Sequence, residues 1–161
     1  MHPRAQQLID DLRLQPHPEG GYFREIYRSS ARVRPDDDRP HRAAVTSIYF
    51  LLVAGQHSRW HRVRSDELWH FCEGDALDLF LAPPALTRVD TLVVSAPAGP
   101  GQSIQVAPPD WWQAARSQGA YSLAGCTVAP GFEYADFAFL RDDPARVALL
   151  QALGPEYAAL V

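Results

Sequence analysis

The sequence predicts an all-β domain, a sandwich or closed barrel of antiparallel strands with short helices at its two ends. Three observations predict it. Strand-like apolar runs follow one another from Val45 to Leu140 with turn residues between them. No helical pattern interrupts them, so the crossover helices that a parallel βαβ sheet requires are lacking. The 14 prolines and 10 glycines among 161 residues break the chain too often for a helical bundle.

Each element has its own signal. Ala5, Leu8, Ile9 and Leu12 recur at helical spacing, Pro3 suits a first helical turn and Pro16 blocks continuation, which predicts an amphipathic helix over 4–14 on the outside of a sheet. After a Gly20-Gly21 turn, Tyr22 to Arg28 is rich in aromatic and β-branched residues and reads as a strand. Arg32 to Arg42, with three aspartates between Pro35 and Pro40, reads as an exposed loop. The strand-like runs are then 45–54, 57–64, 66–73, 76–82, 86–95, 103–106, 111–117, 121–128 and 134–140, with His57 close to the preceding turn. Asp143 can cap a helix that starts at Pro144, carries Val147, Leu149, Leu150 and Leu153, and stops at Gly154.

The chain is long enough for one domain, 1–161, with its own core, and it shows no repeat, linker or low-complexity segment. Its formal charge is −4 and all 15 basic residues are arginine. A net negative chain lacks the positive field that nucleic acid or an anionic membrane demands, so the expected partner is a small molecule. The longest apolar run, Ile48 to Ala54, is too short to span a bilayer as a helix, and the first residues lack the apolar segment of a signal peptide; the expected location is the cytoplasm. Cys72 and Cys126 make no disulfide framework and are expected to be free, small and buried.

The segment Gly55 to Gly74 carries Gly55, His61, Glu67 and Gly74 in the register of G-x5-H-x-H-x3-E-x6-G, with Val63 at the second histidine position. It resembles the first motif of the cupin superfamily. Pro108 to Gln113 resembles the second motif, P-x-G-x-x-H, with Asp110 for the glycine and Gln113 for the histidine. Three further segments, His17 to Glu25, Ser65 to Phe71 and Gly125 to Glu133, are similar to the small cupin-5 family of unassigned function. The resemblance implies a double-stranded β-helix, or jelly-roll, barrel with an internal ligand pocket, assembled as a homodimer. It implies no single reaction, because cupins include metal-dependent oxygenases, sugar isomerases and epimerases, and storage proteins.

Strand alternation supplies candidate roles. If His61 points inward, Arg59 and Val63 share its face, while Trp60, Arg62 and Arg64 face away. By the same parity Glu67, Trp69 and Phe71 share a face, as do Trp111, Gln113 and Ala115, and His70 points out. The expected lining is therefore Arg59, His61, Glu67, Trp69, Phe71, Trp111 and Gln113, an aromatic wall with a few polar groups. Glu133 and Asp136 differ in parity, so one of them at most faces the pocket. The metal set of a typical cupin, three histidines and a glutamate for zinc, iron, manganese or nickel, is reduced here to His61, Glu67 and the amide oxygen of Gln113. Three readings follow. His61 and Glu67 are the catalytic pair of an isomerase or epimerase moving a proton on a sugar-like or carboxylated ligand, with Arg59 as an anion clamp. Alternatively they hold the metal of an oxygenase or isomerase, or they orient a ligand in a non-catalytic, storage-like barrel.

Overall fold

The computed structural model describes residues 1–161. In chain order the elements are α1 (Pro3–Leu12), β1 (Gln15–Pro16), β2 (Tyr22–Arg28), β3 (Arg32–Val33), β4 (Arg42–Ala43), β5 (Thr46–Val53), β6 (His57–Val63), β7 (Asp66–Gly74), β8 (Leu77–Ala82), β9 (Asp90–Val94), β10 (Ile104–Ala107), β11 (Trp112–Ser117), β12 (Tyr121–Ala129), β13 (Phe137–Phe139), α2 (Pro144–Leu153) and α3 (Pro155–Ala158). Two antiparallel sheets result, ordered β1-β2-β5-β12-β7-β10 and β13-β6-β11-β8-β9, beside a small β3-β4 ladder. This is the predicted all-β jelly roll.

The expected elements form with few changes. Helix α1 stops two residues early because Arg13 turns left-handed at φ 53°. The run expected at 86–95 begins as a strand only at Asp90; Leu86, at φ 52°, belongs to the turn before it. The last run, 134–140, holds only the three residues of β13 between two 3-10 turns. Asp143 caps α2 by accepting from the Arg146 N–H, as its position predicts.

Apolar side chains divide by parity into three layers. Phe50, Leu52, Trp69, Leu77, Leu79 and Leu81 fill the space between the sheets. Leu51, Val53 and Leu123 face outward and are covered by Ala5 and Leu8 of α1. Trp60, Phe80 and Trp112 face outward from the second sheet and are covered by Leu140, Leu150 and Leu160 near the carboxy terminus. Covering on both faces explains the uninterrupted apolar run in β5. Trp60 faces away from the barrel as expected, yet it is almost fully buried, and its indole N–H donates to the Tyr157 carbonyl at 2.9 Å.

Two expectations are corrected. The Arg32–Arg42 segment is not simply an exposed loop. Arg39 and Arg42 are buried with Asp136: Arg42 pairs with it directly, Arg39 lies 3.6 Å from it, and Arg39 also donates to the Ser65 hydroxyl at 2.8 Å. Paired burial of these charges ties the segment to the chain around residue 136. Cys126 is buried, but Cys72 is exposed, because it lies where the β7–β12 register slips and its side chain leaves the sheet on the outer face beside Gly125. No helix is long and apolar enough to cross a membrane.

Candidate functional site

One end of the barrel interior is packed solid; the other is a cavity of about 700 Å³, counted out to its open mouth. Its walls are the same-face residues at one end of the strands: Thr46 and Ile48 of β5, His61 and Val63 of β6, Glu67 of β7, and Cys126 and Val128 of β12. One same-face step further along, Phe50, Trp69 and Ala124 belong to the packed core. His17, Glu19, Phe23, Glu25 and Arg28 close one side, and Phe132, Glu133, Tyr134 and Phe137 complete the mouth.

Glu19 is brought in by its backbone. The ideal Cβ of Gly20 would stand 2.2 Å from the His57 carbonyl oxygen and that of Gly21 2.6 Å from the Leu51 carbonyl oxygen, at φ 113° and 69°. Only glycine allows so close an approach with that backbone. The loop therefore lies against β5 and β6, pinned by the Arg59 N–H donating to the Glu19 carbonyl at 2.8 Å, and the Glu19 side chain enters the cavity.

There Glu19 Oε2 is 3.1 Å from His61 Nε2. On the other side of the ring, His61 Nδ1 is 2.7 Å from the Arg59 carbonyl oxygen, which can only accept, so Nδ1 carries hydrogen. The Nε2–Oε2 contact then needs one proton, held either by the carboxyl or by the ring. Burial favours the carboxyl. It pushes the Glu19 carboxyl up to about 8 and lowers the His61 imidazole below its ordinary value, so both favour a neutral carboxylic acid donating to a neutral imidazole. His17 is a second neutral imidazole. Its Nδ1 accepts from the Glu19 backbone N–H at 3.3 Å, and burial lowers its pKa to about 4.

Glu67 is held differently. The Trp69 indole N–H donates to Gln113 Oε1 at 3.0 Å, and since indole can only donate, the amide is oriented with Nε2 toward Glu67. That Nε2–H donates to Glu67 Oε2 at 2.6 Å. Burial, the largest influence, raises the Glu67 carboxyl to about 7, opposed by the nearby His61 and the Gln113 hydrogen bond.

Of the predicted site residues, His61 and Glu67 line the cavity, and Arg59, Trp69, Phe71, Trp111 and Gln113 do not. Gln113 and Trp69 stand behind Glu67 as its support. Phe71 and Trp111 pack against the main core, and Arg59 lies on β6 beyond the cavity wall, so no anion clamp forms there. Glu133 faces the mouth whereas Asp136 is turned into the arginine pair; the 3-10 turn over Tyr134–Asp136, and not strand alternation, separates their directions. His70 points to the outer face and His57 begins β6. Sequence reasoning assigned no role to Glu19 or His17. Their signal was a carboxylate and an imidazole beside the Gly20-Gly21 pair.

A metal centre of the usual cupin kind does not fit this donor set. Val63 offers no ligand atom, the Gln113 oxygen is engaged by Trp69, and His61 Nε2 is engaged by Glu19. Two of the positions that would hold the ion are thereby lost, and no three ligand-type side chains are grouped to replace them.

An antiparallel jelly roll enclosing an acid–base cavity at one end is the architecture of a cupin. The chain belongs to the Cupin_5 family, described as Cupin superfamily (DUF985), which matches residues 6–140. It is similar to a hypothetical protein from Leishmania major (31% identity, 98% of this chain and 96% of that chain, TM-score 0.81) and to a Shewanella oneidensis protein (32% identity, 98% and 94%, TM-score 0.78). A cupin 2 conserved barrel domain protein from Rhodopseudomonas palustris shares the fold at 12% identity over 92% of this chain and 97% of that one, with TM-score 0.54. No curated protein matches.

Proposed function

We propose that this cupin binds a small polar molecule in the cavity and moves a proton on it, an isomerase- or epimerase-type reaction. The observation that carries the reading is the buried Glu19–His61 contact, Oε2 to Nε2 at 3.1 Å, with a second carboxyl, Glu67, lining the same cavity from the other sheet. A reversible proton transfer needs one group that gives a proton and one that takes it, each with a pKa near the working pH. Glu67, raised to about 7, is the base when ionised. Glu19 is the acid, and His61 holds it in place through Nε2 while its own Nδ1–H is fixed on the Arg59 carbonyl.

The ligand is sugar-like. A carboxylated ligand loses its support, because Arg59 lies outside the cavity. The test is incubation of the protein with a panel of aldoses, ketoses and amino sugars in deuterated water, followed by proton NMR. Site-specific loss of a C–H signal that disappears in both Glu67→Gln and Glu19→Gln is the expected result. Binding without exchange would make the barrel a non-catalytic binder, and exchange that tracks a stoichiometric, chelator-removable metal would overturn the acid–base reading.

We also propose a homodimer. Edge strand β10 exposes Ile104 and Val106, half-exposed apolar side chains on an unpaired sheet edge that a second copy would cover.

A further inference from the structure

The charge and shape of the cavity mouth select among ligands. Two carboxylates there, Glu25 and Glu133, face one guanidinium, Arg28. Arg28 Nε and Nη2 donate to the two oxygens of Glu25 at 3.1 and 2.9 Å, Nη1 donates to Glu133 Oε1 at 3.1 Å, and Nη1 and Nη2 both donate to the Phe132 carbonyl at 3.3 Å. A guanidinium has five N–H groups, and all five are taken. The one cation lining the cavity therefore has no donor left for an anionic ligand, and the mouth retains a net negative charge.

Aromatic rings complete the arrangement. Phe132 meets Tyr134 edge-on at 5.1 Å and 80°, and meets Phe137 at 6.2 Å and 72°, so the three rings form a corner lining the cavity, in which Phe137 has one face stacked on His61 at 5.3 Å and 19°. Ring faces attract cations and discriminate against anions. Deeper in, Glu67 is buried to 7% exposure and spends only Oε2 on the protein, leaving Oε1 free of any hydrogen bond from the chain.

We propose that the ligand of this cavity is a small organic cation, an amine- or ammonium-bearing molecule whose charged group is held between the Phe132–Tyr134–Phe137 corner and the surplus carboxylate of the mouth. The proposal rests on the reading of the cavity as the ligand site; it does not depend on proton transfer.

Amide chemical-shift titration of the full chain tests it, with choline chloride, glucosamine, glucose and glucose 6-phosphate as probes at matched ionic strength. Choline and glucosamine should saturate at millimolar concentration and shift the signals of residues 132–137, with glucose weaker and glucose 6-phosphate silent. Tyr134→Ala, which changes an exposed ring outside the acid–base groups, should weaken choline about two- to fivefold. Glu133→Gln should weaken it further, and by releasing an Arg28 donor should let glucose 6-phosphate begin to bind. Glucose or glucose 6-phosphate binding as tightly as the amines, or no shift with either cation, overturns the proposal. Proton exchange on an uncharged sugar with no cation binding would remove this inference and leave the proton-transfer reading standing; cation binding without exchange would do the reverse.

Discussion

A carboxylic acid and an imidazole that share one proton titrate as a unit, and this ties the site to the stability of the fold. Burial raises Glu19 and Glu67 from 4.5 to about 8 and about 7. Their contribution to stability is complete below pH 4.5 and is lost as pH rises through the folded values, because the folded chain keeps protons that the unfolded chain has released. His17 acts in the opposite sense. Lowered from 6.5 to about 4, it contributes fully above pH 6.5 and loses that contribution as pH falls through 4. Between about 4.5 and 6.5 the lowered imidazoles, His17 and His61, work against the two carboxyls; above 6.5 only the carboxyls act. Thermal unfolding followed against pH should show Tm falling less steeply across that window than just above it, where stability drops by about 1.4 kcal/mol per pH unit for each proton involved. Glu19→Gln should remove the part of the decline that extends toward pH 8. Gln113→Leu would leave the Trp69 N–H and Glu67 Oε2 unpaired in the interior, and denaturant unfolding should record a loss of about 3 kcal/mol. At this scale the sequence was half legible. His61 and Glu67 were found because motif spacing marks them. Glu19 was not, because its position depends on how closely a loop approaches two strands far away in sequence.

The elements themselves were the most legible part of the chain. Alternation placed the faces of β7, of β11 and of β6 from Trp60 to Val63 as read, whereas the register slip of β6 against β11 sets Ser58 opposite the inward Ala115 and breaks the parity that joined Arg59 to His61. Alternation does not give depth. Two residues along a strand is about 6.6 Å of travel, enough to carry the wall from Glu67 in the cavity to Trp69 in the packed core. Trp69 and Phe71 were therefore assigned to the right face and the wrong end of the barrel. Asp110, standing where the family motif has glycine, keeps the left-handed turn at φ 63°, so the loss of that glycine does not cost the turn. Gly20 has no such tolerance. Gly20→Ala places a methyl group against the His57 carbonyl and should shift the loop that delivers Glu19, destabilising the fold by at least about 1 kcal/mol and weakening ligand binding together. An unchanged Tm and unchanged binding would show that the loop has room that the geometry denies it.

At the scale of the whole molecule, covering helices complete the barrel at the face of each sheet, and edge strand β10 remains open. Sedimentation analysis should give twice the chain mass, and Val106→Lys should shift it toward monomer; a wild-type monomer at micromolar concentration refutes the dimer. Fold class and terminal helices were legible because they follow from periodicity and capping. The divergence from a metal centre was legible in outline from Val63 and Gln113, whereas the replacement of the missing ligands by a Glu19–His61 pair required the tertiary structure. That pair is the centre of the account, and its protonation can be read directly. A long-range nitrogen–proton correlation spectrum of uniformly labelled protein should show His61 as a neutral ring at neutral pH, protonated on Nδ1 and bare on Nε2, and staying neutral as the pH falls to where an ordinary imidazole takes up its proton. A doubly protonated His61 at neutral pH, or a proton resident on Nε2, would contradict it.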